Sequence, residues 1–325
     1  MKDVIGIGAL NLDLMYEVED LAILQKEGWP LHAGRETSLP PEEFRELLEV
    51  LEQRGTLRFR SGGGSAANTI VALARMGFKT GFVGRVGADE EGAFILKEMD
   101  GVDLAQVKEG GANGICLVVL DRQRDRALLV QPSTNDDVGF DDLALPYLSE
   151  SRYLHLSAFV GDGPFDAQRR LMEVLPPEVR VSLDPGDLYA QRGLKVILPL
   201  IERSSIIFAT ASEISTLTGK KEYKAGCKEI ASLGPEIVVC KRGEEGAYCF
   251  SKKGEVEFCP QGEATVVDNT GAGDVFDAGF LAGLLLGRPL DACLSVAHAV
   301  AAKSLGGYGR GHYPDAEDLK GIKGG

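Results

Sequence analysis

Seven consecutive positions, Asp268-Asn269-Thr270-Gly271-Ala272-Gly273-Asp274, crowd two carboxylates and three small residues into one stretch directly before an apolar run. Val275, Phe276, Phe280, Leu281 and Leu284 recur at helical spacing, which predicts a helix beginning near Gly273. A helix start carries unsatisfied N–H donors and the positive end of the peptide dipole, and small side chains leave those donors open to an anion such as a migrating phosphoryl group. A carboxylate adds nothing to anion binding, so Asp274 suits a base that takes a proton from an attacking hydroxyl. The same residues also describe a capped, close-packed core helix with Asp274 favouring the dipole. On this stretch alone both readings stand.

Two further polar groupings could complete such a chemistry. Asn11 and Asp13 follow Val4 to Leu10, an apolar run that predicts a buried strand, and the carboxyl ends of strands are where open α/β sheets bind ligands. Ser61-Gly62-Gly63-Gly64-Ser65-Ala66-Ala67-Asn68 opens into the small-residue helix Thr69 to Gly77. Consecutive glycines disfavour a helix but let the backbone approach a ligand, with the Asn68 amide projecting from the first turns. Gly6-Ile7-Gly8 lacks the third glycine and the helix that a dinucleotide fingerprint requires. No P-loop, HExxH zinc pair or G-x-S-x-G elbow occurs, and no cysteine sits in an activating context. Phosphoryl transfer to a polyol fits what remains: hydroxyl-binding groups, a base and an anion hole.

The elements that must position these groups follow a βαβ rhythm. With 325 residues and 44% hydrophobic content, the chain has enough apolar surface for a large α/β domain. Its formal net charge of −14 argues against nucleic acid and against an anionic membrane surface as partners. No stretch reaches the length of a membrane span or a signal h-region. Six cysteines without a CxxC pair suggest neither zinc nor disulfides, which fits a reducing cytoplasm. Strands are expected at 79–86, 153–157, 179–183, 205–209 and 237–240, with helices between them at 165–175, 195–201, 212–217 and 227–233. Ala247 to Phe250 and Glu255 to Phe258 read as a hairpin near an edge, and Ala292 to Ser304 as a second small-residue helix in which His298 is a packing residue. Asp184-Pro185-Gly186-Asp187 follows a strand's carboxyl end, in a turn that faces the site or merely reverses the chain. Phe44, Leu47, Leu48 and Leu51 form one apolar helical face, and Leu57 to Arg60, Ile115 to Leu120 and Ala127 to Val130 form a small separate sheet, a candidate lid.

The chain resembles the ribokinase-like (PfkB-type) carbohydrate kinases over nearly its whole length. Gly63-Gly64-Ser65-Ala66-Ala67-Asn68 looks like that family's first signature, and Asp268 to Asp274 is similar to its second, usually D-T-x-G-A-G-D. The resemblance implies a three-layer α/β/α fold with a mainly parallel central sheet and a small β lid. The whole of 1–325 would then be one kinase domain, with lid elements at approximately 14–61 and 113–131. It implies Asp274 as catalytic base and the amides of Gly271, Ala272 and Gly273 as the anion hole. Asn11, Asp13, Gly63, Gly64 and Asn68 fall where the family binds its sugar, and Asn135 matches the asparagine of its G-A-N turn, with Ser133-Thr134 replacing Gly-Ala. Lys241, Gly243 and Gly246 match the nucleotide loop, Thr270 joins them, and residues from Ala299 through Ala302 and Gly306 to Gly309 would border adenine. Thr210-Ala211-Ser212-Glu213 stands for the family's N-x-x-E, leaving Glu213 to organise Mg2+ through water, while Asp268 would border a monovalent cation such as K+.

The expected activity is ATP-dependent, magnesium-requiring phosphorylation of a primary hydroxyl on a sugar or sugar-like substrate. One alternative is a nucleoside kinase, with Trp29, Phe59 or Phe159 stacking a base. Another is a sugar-binding regulator that has lost catalysis. Arg35, Arg58 and Arg60 keep an acidic sugar open as substrate. The exposed edge of the lid sheet and the family's habit imply a homodimer.

Overall fold

Val4, Ile5 and Ile7 are wholly buried on both faces of their strand, as the middle of a sheet covered on two sides demands. The computed structural model describes residues 1–32, 36–123, 126–260 and 266–322. Its strands, in chain order, are β1 (Lys2–Ile7), β2 (Asn11–Glu17), β3 (Glu36–Ser38), β4 (Thr56–Gly63), β5 (Thr80–Val86), β6 (Val102–Glu109) and β7 (Gly114–Leu120). There follow β8 (Arg126–Gln131), β9 (Ser151–Ser157), β10 (Arg180–Asp184), β11 (Ile206–Thr210), β12 (Ile237–Lys241), β13 (Ala247–Ser251) and β14 (Gly254–Phe258). Among the described residues they form a nine-stranded sheet in the order β14-β13-β12-β11-β10-β9-β1-β5-β6 and a five-stranded one in the order β3-β8-β7-β2-β4.

From β12 to β6 the large sheet is parallel, and the β12–β13–β14 meander adds antiparallel pairs at one end. Alternate residues of its strands enter different cores. Ile206 and Phe208 join a core with helices Ser65–Arg75, Ala272–Leu285 and Leu290–Ser304; Ile207 and Ala209 face helices Asp162–Val174, Leu194–Arg203 and Tyr223–Ser232. The result is the expected three-layer α/β/α architecture. No helix among the described residues is long and apolar enough to cross a membrane.

The smaller sheet draws its strands from 11–63 and 114–131. Its outer face packs on helices Leu21–Lys26 and Pro41–Arg54 through Leu117, Val119, Phe44, Leu47 and Leu51. Burying each such side chain is worth roughly 1.5–3 kcal/mol, enough to hold a short helix that would not persist alone. The opposite face carries Met15, Cys116, Val118 and Val130.

Three sequence expectations change. The first strand ends at Ile7, and Asn11 and Asp13 open a strand of the smaller sheet instead of a loop behind β1. Gly62 and Gly63 close β4, so the glycine run is part strand, and the helix starts at Ser65. Val102–Glu109 is an additional strand, whose half-exposed polar side chains suit the sheet edge it occupies.

Candidate active site

A cavity of about 370 Å3 lies between the two sheets, and it collects Asn11, Asp13, Asn68, Glu213, Lys241 and Asp274 from five separate segments. At one end the helix Ala272–Leu285 begins on Gly271, whose φ of 75° is left-handed. A side chain there would be strained and would also meet the Tyr313 hydroxyl, 2.7 Å from the position of its Cβ. Gly271, Gly273 and Asp274 line the cavity. Ala272 does not; its N–H donates to the Asn269 carbonyl at 3.3 Å, which turns that member of the expected anion hole into the loop. Asp268 accepts from the Thr270 N–H at 2.9 Å and borders a second, smaller cavity, so its visible work is to shape the loop.

Asp274 is enclosed. Burial raises its carboxyl to about 7, against the opposing hydrogen bond from Asn68 Nδ2 at 2.8 Å; Asp184 raises it further, and Lys241 and Arg310 lower it. A carboxylate near 7 is suited to take a proton at neutral pH. Asp13 is likewise raised to about 7 by burial, with Arg310 opposing. Its carboxylate occupies the space above Gly63, where a Cβ would lie 2.0 Å from Oδ1, so residue 63 must lack a side chain.

Asn135 works mainly on its own chain. Its Oδ1 accepts from the Leu10 N–H at 2.9 Å, and its Nδ2 donates to the Leu10 carbonyl at 3.0 Å and to Asn11 Oδ1 at 2.9 Å. It thereby fixes the point where the chain leaves the large sheet.

Lys241 ends β12 inside the cavity, 2.6 Å from Asp184 and 3.2 Å from Asp277. One cation serves two carboxylates, and they divide. Although burial pushes against it, Lys241 holds Asp184 below its ordinary pKa; burial outweighs the more distant lysine for Asp277 and raises it. The protonated form is thus favoured at Asp277 and the ionised form at Asp184, which makes the closer ion pair, since two adjacent carboxylates cannot both ionise cheaply. Glu213 is raised to about 7 by burial and by Asp184. It caps its own helix: Glu213 Oε2 accepts from the Thr210 N–H at 2.7 Å, and Thr210 Oγ1 accepts from the Glu213 N–H at 3.2 Å. Threonine and asparagine are both N-cap residues, which accounts locally for Thr210 in this position.

Gly243 and Gly246 flank a short 3-10 turn after β12, and Ala299, Ala302 and Gly306 lie near the end of helix Leu290–Ser304; none of them lines the main cavity. His298 packs its ring on Phe258, as a packing residue would. Trp29 packs in the outer core of the smaller sheet and Phe59 stacks on Tyr308, whereas Phe159 lines the cavity. Arg58 pairs with Glu17 and Arg60 lies over the Phe94 ring. Arg35 lies outside the described residues.

Three site residues were not anticipated. Arg126, the first residue of β8, donates to Asn269 Oδ1 at 2.7 Å and Thr270 Oγ1 at 3.1 Å, joining the smaller sheet to the loop before Asp274. Glu36 on β3 lines the cavity, raised to about 7 by burial, then by Asp187 and Asp274. Arg310, in the 3-10 turn Gly309–His312, donates from Nε to Asn68 Oδ1 at 3.0 Å. No periodicity or motif marks any of the three.

Residues 40–316 match the pfkB family carbohydrate kinase signature. The chain belongs to that family. It is 35% identical over 246 residues to an uncharacterised sugar kinase of Archaeoglobus fulgidus, covering 74% of this chain and 96% of the relative. It is 29% identical over 262 residues to the ATP-dependent ribose-1-phosphate kinase of Halopiger xanaduensis, covering 79% and 85% of the two chains. In fold it is similar to the crystal structure of adenosine kinase from Sinorhizobium meliloti, with a TM-score of 0.87 at 22% identity over 98% of each chain. By family it is a carbohydrate kinase, a phosphotransferase, and its fold is ribokinase-like.

Proposed function

We propose that this kinase transfers the γ-phosphoryl group of ATP to a primary hydroxyl of a sugar or sugar-like acceptor, with the smaller sheet as its lid. The observation that carries this reading is the convergence of Asp274, Asp13 and Asn68 on one cavity at the start of helix Ala272–Leu285. Asp13, Asn11 and Asn68 offer hydrogen-bonding groups to acceptor hydroxyls, and Asp274 takes the proton of the attacking one. The N–H groups at Gly271 and Gly273 face charge growing on the migrating group, and the helix dipole adds to them. Thr270 and Lys241 border the phosphate end, while Gly243, Gly246, Ala299, Ala302 and Gly306 belong to an adenine side beyond the cavity.

Mg2+ would be held by Glu213, whose partly buried carboxyl near Asp184 would gain from a neighbouring cation. When bound, Mg2+ neutralises phosphate charge during transfer. Among the described residues no three His, Cys, Asp or Glu side chains form a metal cage, which suits an ion held largely by phosphates and water. Asp268 stays our candidate border of a K+ site. A dimer through the lid would form along the β3 or β4 edge, because helices Leu21–Lys26 and Pro41–Arg54 occupy the outer face.

One observation favours a nucleoside acceptor: Phe159, Val160, Leu128 and Val130 give the cavity an apolar wall on which a base would rest. A coupled ADP-release screen of sugars, nucleosides and keto-acids separates these readings. Saturable release with one hydroxyl-bearing class supports the proposal and names the class. No acceptor-dependent release across the panel would overturn it in favour of a non-catalytic binding protein.

A further inference from the structure

Asn68 stands between two charged groups. Its Nδ2 donates to Asp274 Oδ2 at 2.8 Å, and its Oδ1 accepts from Arg310 Nε at 3.0 Å. A carboxamide has a donating and an accepting end, and it serves the base only with the donating end toward Asp274. Arginine has donors alone, so the guanidinium admits only the oxygen of Asn68 and thereby turns the NH2 group toward the base.

The guanidinium is itself fixed. Arg310 is 4% exposed, its second terminal nitrogen donates to the Gly63 carbonyl at 3.2 Å, and its own carbonyl accepts from Arg75 Nη1. Its remaining nitrogen, Nη1, lies beside Gly62 and has no hydrogen-bond partner among the described residues, and the residue borders, with Asp13, a small second cavity of about 20 Å3. One side chain 36 positions beyond Asp274 thus grips both the glycine turn and the asparagine that touches the base.

We propose that Arg310 is a positioning residue for phosphoryl transfer: it sets the orientation of the Asn68 carboxamide and so holds the Asp274 carboxylate in line with the acceptor. The inference rests on the kinase reading above for its kinetic consequence but not for its geometry. Were Arg310 only a core residue, its loss would lower stability without a specific link to Asn68.

The test uses the full chain with Arg310→Met, Arg310→Lys, Asn68→Ala and the Arg310→Met/Asn68→Ala double variant. Arg310→Met is expected to lower kcat on the order of tenfold to a hundredfold, the scale of a small misplacement at a reacting centre, with KM for ATP changed less than about twofold. Arg310→Lys keeps the charge but cannot hold Asn68 and Gly63 together, and recovers part of the loss. In the Asn68→Ala background, Arg310→Met should cost little more. The readout that needs no turnover is the pair of Asn68 side-chain NH2 resonances, assigned by their loss in Asn68→Ala. They should move toward free-amide values in Arg310→Met and part-way in Arg310→Lys.

A folded Arg310→Met with these resonances unmoved, or the same kcat loss with and without Asn68, would overturn the proposal. Should Arg310→Met fail to fold, Arg310→Lys decides: wild-type kcat and unmoved resonances overturn the inference, and shifted resonances support it. Absence of acceptor-dependent turnover in the wild type would instead sink the kinase proposal, and the resonances would still judge the role of Arg310.

Discussion

The two ends of the cavity are built differently. On the large-sheet side, polar groups are locked to one another: Asn68 to Asp274, Lys241 to Asp184, Glu213 to the start of its own helix. On the smaller-sheet side, Asp13 Oδ1 is buried without a protein partner among the described residues, and Glu36 is surrounded by like charge. Groups that carry out one fixed chemical step are held in advance, which removes reorganisation from the reaction. The two carboxylates on the acceptor side, Asp13 and Glu36, retain unused hydrogen-bonding capacity, at the cost of raised pKa values until the acceptor supplies donors.

The largest expected effect tests the locked end. Asp274→Asn should preserve ATP and acceptor binding while kcat falls by about 10²–10⁴, the usual contribution of a general base. Near-normal turnover in that variant would place the base elsewhere.

Lys241→Met strips the cation from a buried carboxylate pair and should destabilise the fold by about 3–5 kcal/mol, read from urea unfolding. Adding Asp184→Asn should restore most of that loss. If the double variant is no more stable than the single one, the lysine does more than balance charge.

The pH profile compares both ends at once. Asp274 is raised to about 7, so below that pH it holds its proton and cannot accept another; log kcat/KM should climb with pH up to about 7 and level off above it. Asp13, raised to the same range, should steepen the acid limb beyond a slope of one. A flat profile from pH 5 to 8 would contradict the raised carboxyls of these groups.

The smallest effect is expected at the open end. Glu36→Gln should alter KM for the acceptor by about tenfold or less, the scale of one added or lost hydrogen bond, and leave KM for ATP in place. An equal change in both would mean that Glu36 acts on the phosphate end.

The same division separates what the sequence made legible from what it did not. The large sheet could be read because fully buried strands are short apolar runs between helices with apolar faces, as at Ile206–Thr210 and Ile237–Lys241. The glycine turn and the Asp274 helix start could be read because close approach of backbone and ligand restricts residue types locally. β2 was hidden because its burial runs in pairs, with Leu12 beside buried Asn11, and shows no alternation. β3 is three residues long. Glu36, Arg126 and Arg310 reach the site only through pairing of distant segments, and such pairing leaves no local pattern.

Asn135 has a mechanical consequence. By bonding both backbone groups of Leu10, its side chain supplies the two hydrogen bonds a neighbouring strand would have supplied, at the place where the chain passes from one sheet to the other. The two sheets are thus riveted beside Asn11, two residues from Asp13. Any swing of the smaller sheet about this rivet displaces Asp13 little and the far strand β3, which carries Glu36, much more. The acceptor's anchor would sit near the pivot and its selector near the rim, so that opening the cavity to exchange ligands need not disturb the register of the reacting hydroxyl.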